Sequence, residues 1–348
     1  MDSLRVGLVG YGGAGRGIHA RLLREAGQRV THVVTTRRAQ QVREDWPGAR
    51  AVPDVTALLA HVAELDLVVV ASPTGEHTAH VRAALEAGVH VLVDKPLATT
   101  AAEAQQLVDL SRRLGGRLTV FQNRRWDDEQ RTLRAVLDAG GLGRVHRFER
   151  RWERFRPVPQ DRWKENDPHA GGLLLDLGAH LVDSAVQLFG PVRSVYAELR
   201  TLTTPAVDDV FLALEHASSD DGPGVLSHLQ AGGLVGAPGP RTRVLGDGGA
   251  FLVTSYEGEP TPFAALDDAY EDTRRPGEPV HGGWLVRGAE RVPCPLPPGG
   301  HEDLYREVVR WVLDGGAPPV DPQDAVRTAR VLDAALVSAR ERRVVPVG

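Results

Sequence analysis

An apolar run from Leu4 to Val9 passes without a gap into Gly10-Tyr11-Gly12-Gly13-Ala14-Gly15, and then into a helix-forming segment reaching about Ala26. A strand that must become a helix through three spaced glycines leaves few folds open. Gly10 permits the tight turn, Gly12 lets backbone approach a pyrophosphate, and Gly15 lets the helix pack against the strand. Together with Gly13 and Ala14 they form the expected phosphate cradle, because the first turn of the helix offers N–H groups to an anion. Glycine-rich turns are common in a chain with 38 glycines, so the flanking strand and helix carry the inference.

The same rhythm continues. Arg29 to Val34 reads as a second strand, and helices and strands then alternate: a helix holding Val42 and Trp46, a short strand near Ala51, a helix from Val55 to Val62, and a buried strand from Leu65 to Ala71. A helix from Glu76 to Ala87, a strand from Val89 to Asp94, a helix from Ala101 to Leu114 and a strand from Arg117 to Phe121 complete the series. Such alternation builds a doubly wound parallel sheet with its ligand crevice at the carboxyl ends of the strands. Four strand ends therefore matter. The first is the glycine turn. The second carries Thr35, Thr36, Arg37 and Arg38, where an NAD site would place an acid about 20 residues after the fingerprint. Two guanidiniums and two hydroxyls favour the 2′-phosphate of NADP instead, with NAD as the alternative; a solvated basic start to the next helix is the plainer reading. The third carries Ser72, Pro73 and Thr74, with His77 in the following first turn, expected to line the cofactor crevice unless they are ordinary turn and capping chemistry. The fourth is Asp94-Lys95-Pro96. The chain writes its positive charge as arginine and contains only two lysines, Lys95 and Lys164. Lysine can exchange a proton at working pH and arginine cannot, which makes Lys95 a candidate for chemistry; a surface lysine paired with Asp94 would also satisfy the tripeptide alone.

Near Asn123 the rhythm stops, and residues 1–122 and 123–348 are expected to form separate domains, with the closing helices free to pack back on the first. The second part shows alternating segments at Val145 to Trp152, Val192 to Arg200, Val210 to Glu215, Val225 to Gln230, Arg243 to Leu245 and Phe251 to Val253. They suit an α+β domain with an open, mainly antiparallel sheet. Glu257 to Pro279 reads as a polar surface loop, and the last of two closing helices starts at Asp321-Pro322 and runs to about Arg340.

A formal charge of -5 and 42% hydrophobic residues describe an ordinary globular chain, with no electrostatic reason to bind nucleic acid or an anionic membrane. One cysteine, Cys294, precludes a disulfide framework. No leader pattern or membrane-length apolar run is present, and a cytoplasmic protein is the expectation.

The second-domain helix, expected over Gly172 to Phe189, threads Asp176, His180 and Asp183 through apolar residues. Spacings of four and three put them on one face, where a carboxylate can orient an imidazole that exchanges protons near neutral pH. A solvated polar face, a helix-dipole role for Asp176, or a metal site fits the same residues.

Taken in order, the glycine fingerprint, Asp94-Lys95-Pro96 and Asp176-x-x-x-His180 resemble the Gfo/Idh/MocA family of NAD(P)-dependent oxidoreductases. Asp94 departs from the glutamate usual there and leaves the lysine and proline in place. Gln122 to Asp127, Glu153-Arg154-Phe155-Arg156-Pro157 and Arg162-Trp163 look most similar to a subgroup that includes NADP-dependent scyllo-inositol dehydrogenases. The resemblance implies a Rossmann domain followed by an open-sheet domain that often mediates dimers or tetramers. It implies Lys95, Asp176 and His180 as the catalytic set, no metal, and a small polyol or sugar substrate. Asp94 and Trp163 would then adjoin the cofactor, and Asn123, Arg125, Trp126, Trp152 and Arg154 the substrate. A non-catalytic nicotinamide sensor, or an enzyme oxidising its substrate only transiently on a tightly held cofactor, are the rival expectations.

Overall fold

The computed structural model describes residues 3–218, 224–253 and 281–348. They fall into two compact units, 3–123 with 300–326, and 124–218, 224–253, 281–299 and 327–348.

In the first unit, β1 (Arg5–Val9), β2 (Arg29–Val34), β3 (Arg50–Val52), β4 (Leu67–Val70), β5 (His90–Asp94) and β6 (Leu118–Phe121) form one sheet in the order β3-β2-β1-β4-β5-β6. All neighbours are parallel. Every residue of β4 and β6 is buried, the pattern of strands covered on both faces. The coverings are α1 (Arg21–Glu25), α2 (Ala39–Asp45), α3 (Val55–Leu59), α4 (His77–Glu86) and α5 (Ala101–Arg113). Local signals set their starts. Asp54 Oδ1 accepts from the Ala57 N–H at 2.8 Å to open α3, and Thr100 Oγ1 accepts from the Glu103 N–H at 3.2 Å to open α5. Strand order reverses between β1 and β4, so the turns after those two strands stand at the topological switch point.

The second unit holds β7 (Val145–Glu153), β8 (Val192–Arg200), β9 (Asp209–His216), β10 (Leu226–Gly232), β11 (Thr242–Gly246), β12 (Gly249–Val253), β13 (Gly283–Arg287), β14 (Glu290–Cys294) and β15 (Val345–Pro346). They form a single sheet, β14-β13-β12-β11-β7-β10-β9-β8-β15, antiparallel throughout except where β7 meets β10. β9 alternates buried and half-buried residues along its length, the mark of a sheet with one packed face. That face buries Phe148, Leu212, Leu229, Val244 and Phe251 together with Leu181, Val182 and Ala185 of a helix. Among the unit's helices are α6 (Asp128–Asp138), the short α7 (Trp163–Asn166) and α8 (Ala179–Phe189). α8 differs from expectation at its start: Leu174–Gly178 is π-helical, so the regular spacing assumed for Asp176 and His180 does not apply.

Two helices close the chain, α9 (His301–Asp314) and α10 (Pro322–Glu341). α9 falls within the first unit. It packs on α1, and just beyond it Val320 exchanges two hydrogen bonds with the Thr119 hydroxyl of β6, at 2.9 and 3.2 Å. Among the described residues no helix is long and apolar enough to cross a membrane. The stretch from Glu257 to Pro279, expected as a loop, lies outside them.

Candidate active site

The glycine turn divides its work as the spacing requires. Gly10 has φ of +92°, and a Cβ there would stand 2.7 Å from the Ala71 carbonyl oxygen. A Cβ on Gly15 would come within 2.0 Å of the Gly10 carbonyl oxygen, so only glycine lets the helix start this close. At Gly12 a Cβ would meet nothing within 4 Å: bare backbone faces open space, as approach by a phosphate requires. Gly13 and Ala14 begin a π-helical segment, Gly13–Ala20, that leads into α1. The sequence missed the anchor of this loop. Asp45 on α2 accepts from the Tyr11 hydroxyl at 2.7 Å and from Arg16 Nε at 2.7 Å, fixing the turn from outside. The residues therefore fit a dinucleotide.

After β2, Thr35 spends its hydroxyl on the turn, accepting from the Arg38 N–H at 3.2 Å, while Thr36 and Arg37 are exposed and Arg38 is half-exposed ahead of α2. After β4, Ser72 Oγ lies 3.0 Å from His80 Nδ1, Pro73 leads into a 3₁₀ turn, and Thr74 is buried within it. His77, expected in the cofactor crevice, does other work. Its buried ring has Nδ1 2.8 Å from the Pro96 carbonyl oxygen and Nε2 2.9 Å from that of Ser72, so it braces two strand ends against each other.

Lys95 follows β5 directly and is half-buried; its backbone N–H donates to its neighbour's carboxylate, Asp94 Oδ1, at 2.8 Å, and the Lys95–Pro96 peptide is cis. Behind this turn lies His19, wholly buried, its imidazole pushed down to about 4 by that burial and only partly restored by the Asp94 charge. The unfolded chain protonates this ring near 6.5 and the folded chain only near 4. Protons thus favour unfolding in that interval: the His19 contribution is intact above pH 6.5 and erodes as pH falls towards 4, by about 3 kcal/mol. Urea unfolding of His19→Gln should show a shallower loss of stability between pH 7 and 4.5 than wild type; parallel curves would refute the assignment.

In the second unit the acid-base helix departs from the expected arrangement. Asp176 and Asp183 were placed to orient His180, but each carries a cation of its own. Asp176 Oδ1 accepts from Lys164 Nζ at 2.7 Å, and Asp183 takes the fork of Arg125 at 2.6 and 2.9 Å. The π-helical turn re-aims Asp176, and α7 supplies Lys164. Of the two lysines in the chain, one stands beside Asp94 and the other pairs with Asp176, a signal that the composition already held. Arg125 is thus engaged by a buried carboxylate, while Asn123 and Trp126 are half-buried in the 3₁₀ turn that precedes α6.

His180 is 7% exposed, and its ring stacks on Trp152 with centroids 6.1 Å apart. Trp152 itself is nearly buried. Guanidiniums of Arg124, Arg241 and Arg154 lie 4.5, 5.1 and 5.9 Å from its ring, so it serves as a platform for charged groups as well as for the imidazole. His180, Trp152, Arg124, Asp127, Arg151 and Arg241 line one pocket. Arg124 pairs with Asp127 at 3.2 Å and Arg241 with Glu129 at 2.7 Å, giving walls that both donate and accept hydrogen bonds. Trp163, at the start of α7, is 37% exposed, with Lys164 Nζ 5.8 Å from its ring. In the sequence Arg124 and Asp127 stand within the Gln122 to Asp127 motif without a role of their own, and Arg241 carries no signal, because a charged residue in a turn looks like solvated surface.

Comparison with known proteins agrees with both halves. Residues 4–122 match the model of an oxidoreductase family with an NAD-binding Rossmann fold, and residues 130–252 match the GFO/IDH/MocA C-terminal domain. The chain is 29% identical to scyllo-inositol 2-dehydrogenase (NADP(+)) of Bacillus subtilis, over 99% of this chain and 96% of that protein. It is 33% identical to an uncharacterised oxidoreductase of Escherichia coli, over 98% of each. A solved oxidoreductase from Bacillus subtilis, 28% identical, superposes with a TM-score of 0.85 over all of this chain and 99% of that one.

Proposed function

From the premise that the chain belongs to the Gfo/Idh/MocA family of oxidoreductases, we propose that it moves a hydride between NADP(H) and a secondary alcohol carbon of a cyclic polyol or sugar. The observation that carries this reading is the position of His180, nearly buried against Trp152 and among guanidinium–carboxylate pairs. Such pairs offer donors and acceptors side by side, which matches vicinal hydroxyls and would be wasted on an apolar substrate. The nicotinamide, when bound, supplies the hydride acceptor or donor. Gly10 to Gly15 would hold its pyrophosphate, and Arg37 and Arg38 a 2′-phosphate. His180 takes the hydroxyl proton during oxidation and returns it during reduction. Lys95 hydrogen-bonds the same oxygen and stabilises its developing negative charge. Asp176, held by Lys164, orients the substrate. The name of the Bacillus subtilis relative supports both the polyol and NADP.

Reduction of NADP and NAD, followed by absorbance against inositols, aldoses and sugar acids, tests the reading. One polyol or sugar should reduce NADP faster than NAD. Cofactor that survives purification and shows no net reduction during turnover would replace this reading with transient oxidation. In the double variant Arg37→Ala/Arg38→Ala the KM for NADP should rise about 10- to 100-fold, the worth of one or two charge-assisted phosphate contacts, with that for NAD little changed. Equal loss for both cofactors would contradict the phosphate assignment.

A further inference from the structure

Lys95 starts from a turn backed by a buried polar chain that the mechanism has not used. His19, in the helix after the glycine turn, is 0% exposed. Its Nδ1 lies 2.7 Å from the Tyr305 hydroxyl of α9, its ring centroid 4.3 Å from that of Phe121, and its Nε2 4.0 Å from Asp94 Oδ2. Phe121 is the register partner of Asp94 across β5 and β6, so ring and carboxylate come from one rung of the sheet. The other oxygen of Asp94 holds the Lys95 N–H. We infer that His19, its tautomer fixed by Tyr305, is a positioning residue for Lys95: it steadies the Asp94 carboxylate, and with it the strand end that bears the lysine. The inference rests on the role given to Lys95 above.

A neutral imidazole has one N–H to place. Burial keeps His19 neutral and keeps the Tyr305 phenol protonated, since it pushes the first group down and the second well up. The carboxylate opposite Nε2 draws the proton to that nitrogen, which leaves Nδ1 to accept from the phenol. Every dipole in the series then points towards Asp94. Core filling alone would not call for this. Apolar groups at 19 and 305 would occupy the same space without desolvating an imidazole and a hydroxyl. At 4.0 Å, in surroundings this dry, an N–H dipole restrains a carboxylate far more than it would in water. His77 faces the same carboxylate electrostatically while bracing the Pro96 carbonyl, so the turn is held from two elements.

Three changes separate the links. His19→Asn keeps a polar atom near Nδ1, facing Tyr305, and loses the group facing Asp94; His19→Gln can return an N–H to the Nε2 position. Tyr305→Phe removes the donor that fixes the tautomer. Because the chain has two lysines, ¹³C-lysine labelling of the intact protein gives two sets of side-chain signals, assigned with Lys95→Met. The Lys95 signal should move in His19→Asn and Tyr305→Phe and stay near its wild-type position in His19→Gln, with Lys164 unmoved in all three. Turnover should follow: kcat about 10- to 100-fold lower in the first two, recovered in His19→Gln, with the KM for polyol and the cofactor affinity little changed. An unmoved Lys95 signal in His19→Asn overturns the inference, and so does a loss of stability and kcat that is equal in His19→Asn and His19→Gln. Failure of the catalytic reading looks different: Lys95→Met would then turn over normally, whatever the lysine signals do.

Discussion

Lys95→Met and His180→Ala are each expected to lower kcat by about 10²- to 10⁴-fold, the usual worth of a positioned acid–base or charge-stabilising group, while the fold and the binding of NADP survive. The expectation follows from where each side chain sits. Lys95 ends a fully covered parallel sheet at the edge where such sheets bind ligands, and methionine keeps the length and volume of its stem while removing the ammonium. A loss in that variant therefore reads charge and not packing. His180 begins the regular part of a helix whose neighbouring turns are pinned by Lys164–Asp176 and Arg125–Asp183, so its removal leaves the backbone fixed. Steady-state kinetics with the preferred polyol, alongside fluorescence titration of NADPH, separates chemistry from binding. Near-wild-type turnover in either variant would remove that residue from the mechanism. Retained cofactor affinity with turnover lost in both would place the proton and the charge where the reading puts them.

What the sequence disclosed depended on how local each signal was. Strand, glycine turn and helix at Leu4 to Ala26 lie next to one another, and each imposes its own conformational demand, so the parallel sheet and its cradle could be read residue by residue. The strand end that bears Lys95 was legible for the same reason: an apolar run, a charge and a proline are adjacent. The helix carrying Asp176 and His180 was legible, but the spacing of the two residues on it was not, because 3.6 residues per turn does not hold where the helix opens with a π-helical turn. Lys164 lies 12 residues before its partner Asp176, and no periodicity links them. α6 escaped notice because its first turn is acidic and its apolar residues are few, and β13 and β14 because Pro293 and the short turn between them weaken the pattern. Tyr305 meets His19 across 286 residues, a pairing made only when α9 returns to the first unit.

Arg150→Met should cost about 3–5 kcal/mol of stability, because it takes one of two guanidiniums from a buried carboxylate and leaves Gln130, Ser184 and Thr242 without this donor. Glu129 on α6 meets Arg150 Nη2 at 3.0 Å and Arg241 Nε at 2.7 Å and accepts from the Thr242 hydroxyl. Burial pushes the Glu129 carboxyl up, and the two guanidiniums with that hydroxyl bring it below its ordinary range, so the charged form depends on its partners. Arg150 also donates to Thr242 Oγ1 at 2.9 Å, to Gln130 Oε1 at 2.7 Å and to Ser184. One guanidinium thus ties α6, β7, β11 and α8 together. Ser184 stands one helical turn beyond His180, and both line the same pocket. Losing the arginine should therefore lower kcat in whatever fraction remains folded, by letting the helix that carries the imidazole shift. Arg150→Met/Glu129→Leu separates the two effects. Removing charge and countercharge together restores part of the stability, since an apolar replacement of a buried pair is often neutral or better, while Arg241 loses its carboxylate. If His180 owes its place to this network, the double variant stays folded in urea and remains slow. Recovery of full turnover together with stability would show that packing alone positions the helix.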